Sequence, residues 1–239
     1  KTSGVNLLRA EFTTDASGKF TDFAVLQEFA KEPAGLPVTL RKHRFGIAGY
    51  NRTPAGLVRT ERVEVDIDGA RTPIPAMIGR PQPDLLLLND DDLTFAKIRM
   101  DDRSLQTAIE SLGDLPDSLA RGLIWAATWD MTRDGELTTS AFLDLVISAL
   151  SRADFIPITQ RVLAQARTAA QFYSAPAKRE QNLARLADAY LEWARTLPVG
   201  SDAQFASAKN FVAIARTESQ VADRKSTRLN SSHTDISRM

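Results

Sequence analysis

The sequence has no cysteine and only two histidines, His43 and His233, among its 239 residues. Without cysteine the chain can form no disulfide, no thiolate metal site and no cysteine nucleophile. A zinc hydrolase needs imidazoles or thiolates at fixed spacing, such as two histidines one helical turn apart, and this sequence has no such pair. We therefore predict that the chain contains no metal-binding residue, and no recognisable constellation in the sequence indicates a catalytic or cofactor-binding residue. A chain without disulfides fits a reducing compartment, although many exported proteins also lack cysteine, and we expect a cytoplasmic location.

The chain also lacks an excess of charge and a long apolar run. Lysine plus arginine and aspartate plus glutamate each total 30, so the formal net charge is zero. A neutral protein has no overall field that attracts nucleic acid or an anionic membrane. A membrane-spanning helix needs about 18 consecutive apolar residues, and no such run occurs. We therefore expect neither a nucleic acid nor a membrane as a partner.

What the sequence does contain is a change of hydrophobic period near Met100. Before that residue apolar side chains alternate, as in Val63–Ile67, which is typical of a strand with one buried face. After it they recur every three or four residues, which is typical of amphipathic helices. One such series is Leu183, Leu186, Ala187, Tyr190, Ala194 and Leu197. We predict an α+β chain with segregated domains: an antiparallel β-sandwich in residues 1–100, then an all-α domain of HEAT-like or armadillo-like helical hairpins in residues 101–222.

Seven short strands separated by turn signals are predicted in the β part. They are Arg9–Thr14, Lys19–Gln27, Leu40–Tyr50, Leu57–Ile67, Arg71–Ile78, Leu85–Leu88 and Phe95–Met100. The turn Asp15–Gly18 predicts a hairpin of the first two strands. Asp68-Gly69 predicts a second tight hairpin between the fourth and fifth strands. Pro73 and Pro75 place the fifth strand at a sheet edge.

Caps and breakers divide the α part into six predicted helices. They are Asp101–Leu112, a helix with an N-cap in Pro116-Asp117-Ser118 that runs to Arg133, a helix capped by Thr138–Ser140, Ile158–Tyr173, Lys178–Leu197 and a last helix opened by Ser201 and Asp202. The periodicity predicts that the second helix buries Leu119, Leu123, Ala126 or Ala127, and Trp129. The stripe of the third helix is Phe142, Leu143, Val146 and Leu150. Trp125, Trp129 and Trp193 are interpreted as core or inter-helix anchors.

Three places in the sequence could carry chemistry. His43 lies on an apolar strand face, which favours a core histidine over a proton carrier. Asn89-Asp90-Asp91-Asp92 could bind a hard cation such as calcium, but the alternating ligands and distal glutamate of a calcium loop are missing, which favours a turn. Asp130 and Arg133 could form a charged pair at a cleft, although a surface ion pair is the favoured interpretation.

The last residues differ in character from the rest. Residues 223–233 read DRKSTRLNSSH, which resembles the in-frame translation of a sequencing adapter. The segment is polar and without hydrophobic period, which is typical of disorder. We therefore predict that residues 223–239 are a disordered artefactual tail, which leaves His43 as the single native histidine.

Several long tracts carry a family resemblance. They are KTSGVNLLRAEF, PDLLLLNDDDLTFAKIRMDDRSL, DSLARGLIWAATWDMTRDGEL and the tract from QARTAAQFY to FASAKNF. Together, over residues 2–222, they resemble the C-terminal half of zinc aminopeptidase N enzymes, especially the actinobacterial branch. Within the second tract Asn89, Phe95 and Lys97 fall where related enzymes carry asparagine, an aromatic residue and a basic residue.

The resemblance implies a longer enzyme of which this chain is the small β-sandwich and most of the helical domain. Zinc would be held by a missing catalytic domain, which would be the intramolecular partner, and peptides would be the substrates. The motifs that bind zinc and the substrate amine do not occur here, so no catalytic residue is assigned. The chain is then expected to form the lid and wall of the substrate cleft. A non-enzymatic protein-interaction scaffold is the alternative, and a carbohydrate-binding sandwich has less support because the β part has few aromatics.

Overall fold

The computed structural model describes residues 4–29, 39–150 and 156–223. The chain divides into two compact units, Lys1–Asp134 and Gly135–Met239. Strands precede helices, which confirms the predicted α+β class with segregated secondary structure. The first unit includes two helices as well as the sheets, so its limit differs from the division at residue 100 that hydrophobic period suggests. The predicted assignment of separate β and α domains stays a prediction.

Seven strands lie in the described part of the first unit. They are β1 (Asn6–Thr14), β2 (Phe20–Phe29), β3 (His43–Thr53), β4 (Gly56–Ile67), β5 (Arg71–Pro73), β6 (Leu85–Asp90) and β7 (Lys97–Arg99). One sheet has the strand order β5-β2-β1-β7 and the other has the order β4-β3-β6. Strand β3 pairs with both of its neighbours and is buried along most of its length, so it forms the centre of the second sheet.

The hairpin of β1 and β2 forms as the sequence predicts. Its turn contains Gly18 at a φ of 76°, and the Asp15 carboxylate accepts hydrogen bonds from the backbone N–H groups of Ser17 and Lys19 at 2.8 and 3.0 Å. These contacts lower the pKa of Asp15 because they stabilise its ionised form. In the sheet that follows, the Phe20 and Phe23 rings meet edge to face at 5.0 Å.

Two strand predictions were wrong in their pairing. The tight turn at Asp68-Gly69 does not return β5 along β4; instead β5 pairs antiparallel with β2, in the other sheet. The strand ends at Pro73 and lies at the sheet edge, so the edge position that the prolines predict is confirmed. Strand β7 runs parallel to β1, so the β part is not wholly antiparallel. Both errors concern long-range partners, which alternation along one strand cannot specify.

Two helices complete the described first unit: α1 (Asp102–Ser111) and α2 (Ser118–Arg133). Each begins at an aspartate N-cap. Asp101 accepts a hydrogen bond from the Ser104 N–H, and Asp117 accepts from the N–H groups of Leu119 and Ala120. The N-cap predicted within residues 116–118 is thereby confirmed, and the capping residue is Asp117.

The predicted inner face of α2 is partly wrong. Leu119 is 46% exposed, and Trp129 is half-buried. The buried set is Ala120, Ile124, Trp125, Ala127, Thr128, Met131 and Thr132. Thr128 and Thr132 enter the core because their hydroxyls donate to the carbonyls of Ile124 and Thr128, both at 2.8 Å. A polar residue satisfied within its own helix can face the core, which hydrophobic periodicity does not anticipate.

The second unit contains only helices in its described residues. They include α3 (Thr139–Ala149), α4 (Ile156–Thr168), a π-helical segment (Ala169–Tyr173), α5 (Pro176–Thr196) and α6 (Asp202–Ile214), and residues 218–223 are helical as well. The predicted stripe of α3 is buried, as are Leu183, Leu186, Ala187 and Tyr190 of α5. Trp125 and Trp193 are buried too, which confirms them as core anchors. The predicted tail, apart from Asp223, lies outside the described residues.

Candidate functional site

A buried polar cluster connects the two sheets around His43. Gln27 of β2 is 2% exposed and His43 of β3 is 6% exposed. The Gln27 side-chain oxygen accepts a hydrogen bond from the Arg41 backbone N–H at 2.8 Å and another from the His43 Nε2 at 3.2 Å. The Gln27 amide nitrogen donates to the Gly69 carbonyl at 3.0 Å. Every polar atom of the Gln27 side chain is therefore engaged, as a buried amide requires.

These contacts fix the tautomer of His43. Because the Gln27 oxygen can only accept, the imidazole proton lies on Nε2, and Nδ1 accepts from the Thr94 hydroxyl at 2.7 Å. Burial, and next the positive charge of Arg41, lower the pKa of His43 below its ordinary value of 6.5. The interpretation of His43 as a core histidine is confirmed, since both ring nitrogens bond within the protein.

The lowered pKa of His43 makes the fold sensitive to acid. Between the folded pKa and 6.5 the unfolded chain binds a proton that the folded chain does not, so the free energy of unfolding falls as the pH drops through that window. We expect urea melts of the chain to lose stability between about pH 7 and pH 5. The His43→Gln variant, which cannot titrate, should lose less over the same interval. Equal losses in the two proteins would contradict this assignment.

A cavity of about 380 Å³ opens beside the histidine. This volume lies within the range of about 300 to 1,000 Å³ typical of ligand pockets. The cavity is lined by Gly4, Val5, Arg41, Lys42, His43, Thr94 and Phe95. Only His43 of these could exchange a proton near neutral pH, and its nitrogens are occupied. The lining residues of the cavity therefore include no acid–base pair.

The acidic turn Asn89–Asp92 is structural. Asp90 is the last residue of β6 and is 1% exposed; its carboxylate accepts from the Tyr50 hydroxyl at 2.7 Å and from Arg59 at 2.6 Å. Asp91 forms ion pairs with Arg59 and Arg62 at 3.0 and 2.7 Å. The favoured interpretation as a turn is confirmed, but the burial of Asp90 was missed. Its signal is the uninterrupted apolar strand Leu85–Leu88 just before it, whose pairing extends to Asp90.

The predicted pair Asp130 and Arg133 exists as a contact of 3.6 Å, and half of the Arg133 side chain is exposed. Burial, the largest effect, raises the pKa of Asp130. Sequence reasoning missed the neighbouring cluster, in which Asp134 binds Lys97 at 2.7 Å and also the buried Arg99. This cluster attaches the end of α2 to β7. These ion pairs add to the few backbone hydrogen bonds that hold β7, a parallel edge strand of only three residues.

Comparison with known sequences gives the chain a family. The ERAP1-like C-terminal domain matches residues 85–234. The chain belongs to this family. Aminopeptidase N of Streptomyces lividans is 46% identical to it over 224 residues, which cover 92% of this chain and 26% of that protein. The chain thus spans about a quarter of the length of this curated relative, and its resemblance to the C-terminal part of aminopeptidase N is confirmed.

The family match covers the described elements from β6 onward and leaves β1 to β5 outside it. It begins at Leu85, the first residue of β6, and therefore includes β7 and all of the described α-helices. It also runs into residues 223–239, so the interpretation of this segment as an artefactual tail stays a prediction. None of the helices in the described ranges is long and apolar enough to cross a membrane.

Proposed function

We propose that the full-length protein containing this chain is a zinc aminopeptidase that removes N-terminal residues from peptides. The observation that carries the proposal is the 46% identity with Aminopeptidase N across 92% of the chain. Because the chain spans only 26% of that relative, the proposal assigns peptide hydrolysis to the part of the full-length protein outside this chain.

We expect that the described residues do not bind the catalytic zinc ion. No group of three or more His, Asp or Glu residues placed to hold a metal occurs within residues 4–29, 39–150 and 156–223, and the sequence has no cysteine. His43 has both nitrogens engaged by Gln27 and Thr94. A catalytic zinc needs about three protein ligands. We therefore propose that a preceding catalytic domain holds the metal and that this chain supplies no ligand.

The role proposed for this chain is to form the wall and lid of the substrate cleft. Its described residues provide rigid packing: a sheet core containing Phe45 and Tyr50, and a helical core containing Phe142 and Tyr190, all almost fully buried. A lid of this kind excludes water from the reacting groups and limits which peptides enter. The catalytic domain is the intramolecular partner in this proposal, and the cytoplasm is the proposed location.

The decisive experiment compares the isolated chain with the full-length protein obtained by extending the reading frame upstream of Lys1. We expect the full-length protein to contain stoichiometric zinc and to hydrolyse aminoacyl-anilides, and the isolated chain to do neither. If the isolated chain bound zinc and hydrolysed the substrate, the proposal that hydrolysis occurs outside this chain would be wrong. A full-length protein without zinc or activity would support the scaffold alternative instead.

A further inference from the structure

The dipeptide Asp-Gly occurs twice in the sequence, at residues 68–69 and 134–135, and both copies lie in turns outside the strands and helices. An aspartate side chain followed by glycine is open to attack by the next backbone nitrogen, because glycine has no Cβ to crowd that nitrogen and adopts conformations closed to other residues. The two glycines have positive φ values of 85° and 78°. Any difference in reactivity between the two sites therefore depends on the contacts of each aspartate.

The Asp68 carboxylate is open to solvent. Its side chain is 69% exposed, and the ion pair that it forms at 3.0 Å joins it to the equally exposed ammonium of Lys42. An ion pair between two exposed side chains restrains them only weakly. The Gly69 N–H, which is the nucleophile in this chemistry, donates no hydrogen bond to any residue that the structure describes. The carboxyl carbon and the nitrogen are thus held in the same turn, and neither is occupied by a strong partner.

The Asp134 carboxylate, in contrast, is held by two cations. The Lys97 ammonium donates to its two oxygens at 2.9 and 2.7 Å, and the buried Arg99 guanidinium donates to one of them. Burial acts to raise the pKa of Asp134, but the hydrogen bonds from Lys97 and Arg99 outweigh it and lower that pKa below its ordinary value. An anchored, ionised carboxylate is a poor electrophile, because one of its oxygens has to leave as water. The fold therefore protects Asp134 and leaves Asp68 unprotected.

We propose that Asp68 is a site of spontaneous modification, at which the aspartyl link to Gly69 converts into an isoaspartyl link. The Gly69 nitrogen attacks Cγ of the protonated Asp68 side chain and forms a new C–N bond. The nitrogen loses its proton and Cγ loses its OH group, so one water molecule leaves and a succinimide ring remains. Water then adds to the ring. Cleavage of the original peptide C–N bond gives isoaspartate, cleavage of the new C–N bond restores aspartate, and no atom is oxidised or reduced.

The turn that contains Asp68 also supports the buried amide of Gln27. The Gly69 carbonyl accepts from the Gln27 side-chain amide at 3.0 Å, and the Ala70 carbonyl accepts from the Gln27 backbone N–H at 2.9 Å. An isoaspartyl link adds one carbon to the main chain directly before Gly69, so it displaces both carbonyls. Because Gln27 is buried, a lost acceptor cannot be replaced by water without cost. The modified chain should therefore be less stable than the parent.

Prolonged incubation of the folded chain at physiological temperature, followed by peptide mapping, measures both sites in one experiment. Cleavage after glutamate places them in separate peptides, residues 65–110 and 111–136. An isoaspartyl methyltransferase with a labelled methyl donor marks the converted copies. The control variant is Asp68→Glu, which keeps a carboxylate near Lys42 but would have to close a larger ring. A second control is the same chain incubated in urea, where the contacts of Asp134 are absent.

We expect label in residues 65–110 of the folded chain to accumulate several-fold faster than in residues 111–136, and at a similar rate in the two peptides of the urea-treated chain. Asp68→Glu should reduce the label in residues 65–110 to background. Equal labelling of the two peptides in the folded chain would overturn the protection of Asp134. Lack of label in residues 65–110, or label that survives Asp68→Glu, would overturn the site itself. An unchanged urea midpoint of the modified fraction would overturn its connection to Gln27.

Discussion

Replacing Asp90 by asparagine is expected to lower the free energy of unfolding by about 2–4 kcal/mol, because it removes a buried charge that two neighbours require. The Asp90 side chain is 1% exposed and accepts from the Tyr50 hydroxyl and the Arg59 guanidinium through different oxygens. An amide of the same shape can still accept one of these bonds. Its NH₂ group then faces either Arg59 or Tyr50, and a buried donor loses its partner.

The matched control for Asp90→Asn is Asp91→Asn, one residue along the same turn. Asp91 is 39% exposed and pairs with Arg59 and Arg62 at the surface, where an ion pair contributes about 1 kcal/mol or less. Asparagine also tolerates the left-handed φ of 68° at this position. Urea melts of both variants at pH 7 give the comparison. Similar losses would show that the local charge, and not burial, determines the role of the acidic turn.

The Tyr50 side chain belongs to the same network. Burial, assisted by the hydrogen bond to Asp90, raises the pKa of the Tyr50 hydroxyl, so this group remains a proton donor at any ordinary pH. Strands β3, β4 and β6 contribute Tyr50, Arg59 and Asp90 respectively. The network therefore links all three strands of the second sheet by side-chain contacts in addition to the backbone ladder.

Local signals in the sequence predicted the elements of this fold well. The N-caps of α2 and α6 lie within the predicted segments, residues 116–118 and 201–202. The Asp117 and Ser201 side chains accept from N–H groups two or three residues ahead. The predicted hairpin turn ends at Gly18, where glycine adopts the positive φ that the turn requires. In each case the deciding contact lies within a few residues along the chain, where spacing alone can reveal it.

Contacts between distant segments could not be predicted in the same way. His43 was correctly placed on a buried face, but its partners Gln27 and Thr94 lie 16 and 51 residues away. The pairing of β5 with β2 has the same origin, since alternation shows that a strand has a buried face without naming the strand beside it. The candidate cavity combines residues 4–5, 41–43 and 94–95, so it becomes visible only in the folded chain.

Gly56 combines a local signal with a distant contact. Gly56 immediately precedes the predicted strand Leu57–Ile67, and its φ of 103° is one that residues other than glycine rarely adopt. The sequence does not show that the Asp114 backbone passes directly over the turn. A Cβ atom at position 56 would overlap the Asp114 carbonyl oxygen and would lie 3.3 Å from its carbonyl carbon.

We therefore expect Gly56→Ala to lower the free energy of unfolding by about 2–5 kcal/mol, from left-handed strain of about 1–2 kcal/mol and overpacking of about 1–3 kcal/mol. Gly18→Ala is the matched control, because Gly18 has a φ of 76° and nothing within 4 Å of an added Cβ. Gly18→Ala introduces the left-handed strain without an overlap, so its free energy of unfolding should fall by only about 1–2 kcal/mol. Chemical denaturation of the two variants separates the cost of backbone strain from the cost of overpacking. Equal losses would mean that the segment containing Asp114 moves aside freely, and that the packing of this segment against the β3–β4 turn contributes little to stability.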